Sequence, residues 1–384
     1  MNLQTCFIEP LDVLFLRGNK LFGDPGSYGE SLVPPWPSIA AGALRSRLLA
    51  EQRVDLSAFA QGRVKHPTLG TPNDPGSFAI TNFQLALCHE DKRFEALYAL
   101  PADLVVSDGQ AGQPSVSRIR PVQVAVGLQS SCPLPLLSVI AEQQRGKPAS
   151  GYWLRESGWR KYLAGVVPGH DDLIHARQLW TIDTRIGIGL DAQTRRAADG
   201  QLFSMQAIAL LRRDTSGTSR FDVGFIASVS GADLPSDGIL RFGGDGRAAA
   251  MHAITYAPVE PEFADLIKAG RCRLILTAPG LFPDGWRIPG CNDSGQFYLE
   301  GIRGRLVCAT VPRSETVSGW DLARHQPKPA QRVAPTGSVY WLDELEGTPE
   351  ALERLVHKGL WNEACDDDAQ RRAEGFNRLA FAAY

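Results

Sequence analysis

Pro34-Pro35-Trp36-Pro37-Ser38-Ile39-Ala40-Ala41-Gly42-Ala43-Leu44-Arg45-Ser46-Arg47-Leu48 decides how this chain folds at its start. The prolines hold the chain extended and forbid a helix before Ser38. Ser38 is then expected to act as the N-cap, its hydroxyl accepting a free backbone N–H of the first turn. Ile39, Ala43, Leu44 and Leu48 recur at helical spacing and make an apolar stripe. Ala40, Ala41 and Gly42 leave the first turn open to close approach, and Arg45 and Arg47 add cations further along. Such an entry suits a phosphate-bearing ligand. The plainer alternative is a capped amphipathic helix lying on a sheet.

Upstream, Cys6–Arg17 is expected to be a strand kinked at Pro10. A glycine-rich loop follows through Gly18, Gly23, Gly26 and Gly29. Downstream, Phe78–Leu87 alternates as a strand, and Arg93–Leu100 answers it across a short polar link. Residues 107–150 are rich in Gly, Ser, Pro and Gln and are expected to hold little core. Trp153, Trp159 and Tyr162 stand near a short helix, where an aromatic stripe is core more often than a base platform. Thr181–Asp191 and Leu202–Leu211 form a second hairpin. Its apolar arms flank a polar, cationic turn containing Arg195 and Arg196, and a protruding tip of this kind is free to meet a partner.

The 384 residues suffice for one or two cores. No apolar run reaches the ~18 residues a membrane span needs. Met1–Gln4 lacks the basic start of a secretory signal. Seven scattered cysteines with no Cys-x-x-Cys pair point to reduced thiols, a cytoplasmic setting and no zinc site. The net charge of −2 does not favour a free-standing RNA binder, but its distribution is uneven. Residues 271–332 carry nine Lys/Arg against five Asp/Glu, and residues 343–374 carry four against ten. A subunit meeting RNA on one face and protein on another has this pattern, as does an ordinary solvated surface.

A second unit is expected from about 261 to 384, a β-β-β-α-β series. It contains strands at 271–278, 302–311 and 332–342, a helix at 350–359 capped by Thr348 with Pro349 at its first position, and a last strand entered through Gly375. Leu240–Arg247 contains Gly243-Gly244-Asp245-Gly246-Arg247, which lacks the context of a nucleotide loop and reads as a turn with a backbone contact. None of the seven histidines has a second His or a Tyr at a telling spacing; His325, beside Arg324, is the least implausible catalytic one. No hydrolase, zinc-protease or P-loop motif occurs.

Four phrases together resemble one family. These are the Asp12…Phe15…Arg17 strand with its glycine loop; Pro34-Pro35-Trp36-Pro37-Ser38 leading to Ala41-Gly42-Ala43-Leu44-Arg45; the hairpin Arg185…Gly187…Leu190-Asp191…Thr194…Gly200…Leu202-Phe203; and Pro327-Lys328 with Thr336-Gly337-Ser338-Val339-Tyr340 and the closing Gly375-Phe376-Asn377. The chain is similar to the third subunit of the Cmr complex, the type III-B CRISPR effector, in the RAMP superfamily. The resemblance implies an α+β fold of two ferredoxin-like (RRM-like) domains. Domain 1–260 would carry a thumb hairpin at about 181–211 and an irregular insertion at about 107–150; domain 261–384 would follow. It implies a non-catalytic, cofactor-free and metal-free subunit that binds the repeat-derived 5′ tag of the CRISPR RNA. Partners would be that RNA, the large polymerase-like subunit and the adjacent backbone subunit, with no membrane. Arg17, Ser38, Gly42, Arg45, Arg185, Gly187, Arg195, Arg196, Lys328, Arg332 and Asn377 are expected at the RNA, and Phe203 is expected to support the thumb. Asp12 could orient Arg17 or Arg45. The alternatives are a metal-independent endoribonuclease acting on precursor RNA, and the equivalent subunit of the type III-A complex.

Overall fold

The computed structural model describes residues 3–16, 18, 28–29, 31–108, 113–123, 130–141, 148–191, 193–213, 221–362 and 368–384. The chain forms two compact units, each drawn from separated stretches. The first comprises Met1–Phe94, Arg177–Thr255 and Thr316–Gln331; the second comprises Glu95–Ala176, Tyr256–Glu315 and Arg332–Tyr384. Both mix antiparallel sheets with a few short helices, so the fold class is α+β. Residues 95–176, expected in the first unit, group with the second, and residues 316–331 group with the first.

The first unit is built on β1 (Leu3–Pro10), α1 (Pro37–Glu51) and β2 (Ala79–His89). β3 (Trp180–Leu190) and β4 (Ala197–Leu210) make the hairpin, and β5 (Phe221–Ser230), β6 (Asp237–Arg241) and β7 (Ala248–Ile254) complete the sheet. The spatial order is β2-β5-β1-β7-β6, all antiparallel. Thus the first strand of the chain, β1, lies between two strands contributed some 220 or more residues later, with Phe7 opposite Ile226 on one side and His252 on the other.

α1 packs on β6 and β2 through Ala40, Ala41, Ala43, Leu44, Leu48 and Leu49. Three alanines in that face let the helix lie close to the strands. Burying one leucine such as Leu44 stabilises by ~1.5–3 kcal/mol.

The start of α1 corrects the sequence reading. Ser38 is not the cap: Trp36 holds the cap position in extended conformation without a side-chain hydrogen bond, and Pro37 is the first helical residue. Proline at this position needs no N–H and has its φ preset for a helix, so the helix starts two residues early and Ser38 falls inside the first turn.

In the second unit β8 (Cys272–Leu276), β9 (Gln296–Leu299), β10 (Ile302–Thr310), β11 (Val339–Glu346), α2 (Pro349–Lys358) and β12 (Leu379–Ala382) form one layered body. The sheet order is β9-β10-β11-β8-β12, again antiparallel. Leu274, Leu306, Tyr340, Leu342, Leu352 and Phe381 meet in its core. α2 begins as its sequence predicts: Pro349 opens it and the Thr348 hydroxyl accepts from the Ala351 N–H at 3.2 Å. The expected final strand is shorter. Ala369–Glu374 is helical, Gly375 ends it in a left-handed conformation, and β12 starts at Leu379.

The aromatic cluster Tyr98, Trp159 and Tyr162 is core. Tyr98 and Trp159 stack at 4.3 Å between centroids and Trp159 meets Tyr162 at 5.6 Å. Residues 104–108 pair with 114–118 and residues 120–123 with 136–139, so the irregular insertion carries two short ladders. None of the six described cysteines is in a disulfide. Among the described residues no helix is long and apolar enough to cross a membrane.

Candidate nucleic-acid interface

Backbone hydrogen bonds gather the N-terminal motifs of the first unit around the inner strand of its hairpin. Leu14 exchanges both of its backbone bonds with Ile208 of β4, each 2.8 Å. Tyr28–Gly29 runs parallel to β4 at Ser204–Met205. Ser31 follows, its Oγ donating to the Gln206 carbonyl at 2.6 Å while its N–H donates to Gln206 Oε1. Leu32 N–H then closes on the Leu16 carbonyl at 2.7 Å. Both flanks of the glycine-rich loop are therefore sewn to β4, and the chain passes from there into α1. Most of the loop itself, Arg17 included, lies outside the described residues.

The Gly243–Gly246 turn anchors the same segment. Gly244 N–H donates to the Phe15 carbonyl, and a side chain on Gly243 would strike that oxygen at 2.9 Å. Arg247 lies over the Phe15 ring at 5.0 Å and pairs with Asp12 at 2.6 Å. Among the described residues, then, the partner of Asp12 is Arg247, not Arg45. Motif reading in a short window missed it because the pair is 235 residues apart and forms only when β7 docks beside β1.

The hairpin has two unlike faces. Ile182, Ile186 and Ile188 share one, opposite Ile208, Ser204 and Leu202; Thr181, Asp183 and Arg185 share the other. Nearly all of β3 is open to solvent, Ile186 being 75% exposed. Arg185 pairs with Asp183 at 2.9 Å. Gly187 serves the hairpin's own packing: a Cβ there would come within 2.5 Å of the Phe203 ring on β4. The gap left by the missing side chain is filled by that ring rather than open to the RNA expected there.

At the turn, Asp191 Oδ1 accepts from the N–H groups of Gln193 and Thr194 and from the Thr194 hydroxyl. These hydrogen bonds, led by the Thr194 N–H, lower the Asp191 pKa and keep it anionic. Arg195 follows with φ of 53°, and both Arg195 and Arg196 are exposed.

Around α1, Arg45 is half-buried with its guanidinium 5.2 Å from the Phe78 ring centre. Gly42 faces open space: a Cβ would meet nothing within 4 Å. Gly42→Ala should raise stability by ~0.5–1 kcal/mol, since glycine inside a helix is costly, and should weaken RNA binding if a ligand comes close to that backbone. A thermal melt with a parallel RNA titration checks both; a stabilised variant with unchanged affinity would reduce α1 to an ordinary packed helix.

Lys328 lies on a small two-stranded ribbon in the first unit, its aliphatic stem passing over Gly319. Arg332 and Asn377 belong to the second unit. Arg332 is exposed. Asn377 is fully buried with φ of 59°, the left-handed conformation its sequence permits. Its Oδ1 accepts from Leu281 N–H at 2.6 Å, and its Nδ2 donates to the carbonyls of Leu360 at 2.9 Å and Leu281 at 3.3 Å. Its side chain braces three segments and presents no surface to a ligand, which corrects its place among the expected RNA-contacting residues.

The histidines are dispersed. His66 is buried; its Nδ1 accepts from the N–H groups of Thr68 and Leu69, which places its proton on Nε2, and burial lowers its pKa. His252 pairs with Asp237 across the β7–β6 edge at 2.9 Å. His325 is exposed in the ribbon's turn. No cluster of three His, Cys, Asp or Glu suited to a metal occurs among the described residues.

A chain in the cryo-EM structure of the Type III-B Cmr-beta bound to cognate target RNA is similar over 98% of this chain and 96% of its own, at 15% identity and TM-score 0.48. A chain in the corresponding structure with AMPPnP, state 1, is similar over 98% of both, at 15% identity and TM-score 0.47. No curated protein matches. The model of the CRISPR-associated protein family Cas_Cmr3 matches residues 6–382, nearly the entire sequence, so the chain belongs to the Cas_Cmr3 family of CRISPR-associated proteins.

Proposed function

We propose that this chain is a non-catalytic subunit of a type III-B Cmr effector that grips the repeat-derived 5′ tag of the CRISPR RNA and joins the large polymerase-like subunit to the first backbone subunit. The hairpin carries the proposal. Its outer strand is bare on both faces, Ile182, Ile186 and Ile188 on its apolar side are each more than half exposed, and its turn presents Arg195 and Arg196. An uncovered stripe of isoleucines costs solubility unless a partner shields it, and exposed arginines suit phosphates. The hairpin's inner strand is tied to both flanks of the glycine loop, which leads into α1 with Arg45 and the open backbone at Gly42.

The strand orders support the ferredoxin-like reading. Numbered by their sequence within each unit, β7-β1-β5-β2 and β12-β8-β11-β10 both run 4-1-3-2 and are antiparallel throughout, the strand order of a split βαβ motif; each unit keeps one of its two helices, β6 standing in place of the second helix in the first unit and β9 with its loops in place of the first helix in the second. Binding would rest on phosphate contacts and on bases turned out of their stack, with target sequence read by base pairing. The protein would work in the cytoplasm. Separated histidines favour holding over cutting, because general acid–base cleavage needs its groups at one phosphate.

The purified chain, isolated with its partners, should carry RNA of constant 5′ end and leave added repeat RNA intact with or without divalent cations. A single metal-independent cut in that RNA would instead establish the endoribonuclease alternative.

A further inference from the structure

Trp320 is 53% exposed and Leu322 is 66% exposed on the ribbon formed by Trp320–Asp321 and Gln326–Pro327. Cross-strand pairing sets Trp320 directly opposite Pro327, so the indole and the pyrrolidine ring share one face. The ribbon is held in shape by its own bonds. Lys328 N–H donates to the Gly319 carbonyl, Ser318 Oγ donates to the Lys328 carbonyl at 2.8 Å, and Asp321 Oδ1 accepts from the N–H groups of Ala323 and Arg324. Arg324 also donates to Asn73 Oδ1 at 2.6 Å. Asn73 lies in the loop that leads through Thr68 to Phe78, the ring beneath Arg45, so the ribbon is tethered to the corner of the first unit that carries α1.

We infer that Trp320 is a stacking platform for an unpaired RNA base, with Arg324 and Lys328 placed for the adjoining phosphates; this rests on the RNA-binding reading above. A solvent-exposed indole on a braced ribbon pays little ordering entropy when a base settles on it. The charge beside it is complementary to a phosphodiester: Arg324 and Lys328 flank the Asp321 carboxylate, which is already engaged by two backbone N–H groups and by Arg324 at 3.6 Å. A ladder of two residues per strand offers a protein partner far less than the ~1,200 Å² of a stable interface. One base on one indole is a sufficient contact by itself.

The test titrates the full chain, wild type, Trp320→Ala and Trp320→Phe, with a short unstructured fluorescein-labelled RNA of mixed sequence, and maps 5-iodouridine photocrosslinks by mass spectrometry. The alanine variant should lose about tenfold in affinity with an unchanged salt slope, the phenylalanine variant should keep most of it, and the wild-type crosslink should fall on Trp320. Equal melting temperatures identify the loss as contact, and an unfolded alanine variant leaves the phenylalanine variant and the crosslink to decide. Wild-type binding with an unchanged alanine variant and no crosslink at Trp320 overturns the inference alone. A wild type that binds no RNA removes the reading beneath it as well. Unchanged RNA affinity with loss of a partner subunit would reassign the ribbon to protein contact and overturn the inference.

Discussion

Arg273→Met is expected to destabilise the second unit by ~3–5 kcal/mol, a large share of the ~5–15 kcal/mol that holds an ordinary domain folded. Arg273 and Asp103 face each other at 2.6 Å with both side chains fully buried. The guanidinium also donates to the carbonyls of Tyr162 and Ala383 and lies 4.1 Å from the centre of the Tyr162 ring. The Tyr162 hydroxyl donates to the other oxygen of Asp103 at 2.7 Å, and burial, then the Asp103 charge, holds that hydroxyl protonated far above the ordinary tyrosine range. Methionine preserves much of the volume but strands a carboxylate in a dry interior. The large cost comes from that orphaned charge, because the intact pair roughly repays its own desolvation. Asp103→Asn together with Arg273→Met should therefore recover part of the loss. Urea unfolding of the three proteins measures the effect; a single variant within ~1 kcal/mol of wild type would show that water reaches the pair. The same contact explains why residues 95–176 group with the second unit: Asp103 and Tyr162 lie in that stretch and Arg273 lies on β8.

Arg195→Glu with Arg196→Glu is expected to lower affinity for single-stranded RNA on the order of 100-fold at low salt and to leave melting unchanged. Both side chains are exposed, and the turn is shaped by Asp191 and Thr194. Exposed residues away from special contacts contribute little to stability. Each lost phosphate contact should flatten the plot of log affinity against log salt by ~0.7 for a single strand. Titrations over a range of salt read both quantities together. This signature differs from that expected of Trp320→Ala, where affinity falls and the slope stays. A double variant with wild-type affinity and slope would confine the hairpin to protein contact.

Much of this was legible in the residues. α2 and its Thr348–Pro349 start, β2, β8 and both arms of the hairpin follow from local periodicity and capping chemistry, which act over a few residues. The aromatic triad around Trp159 was readable as core for the same reason. The family was legible too, because its phrases sit at turns and helix starts where few residue types fit. The misreadings have equally specific causes. At Ser38, two local preferences competed, and proline's preset φ outweighed the hydroxyl's capping bond. At Gly187, a missing side chain was read as room for a partner when it was room for Phe203. At Asn377, a residue that the resemblance placed at the RNA is internal, its amide consumed by three hydrogen bonds.

Local sequence alone settled the start of α2, the alternating strands and the polar hairpin turn, since each depends on neighbours within one or two turns of chain. Only tertiary structure decided that β1 lies between β5 and β7, that Asp12 meets Arg247, and that Asp103 meets Arg273. Those pairings join residues 170 to 249 positions apart. Their energy appears only after the intervening chain has paid its loop entropy and packed, so no short window of sequence carries it.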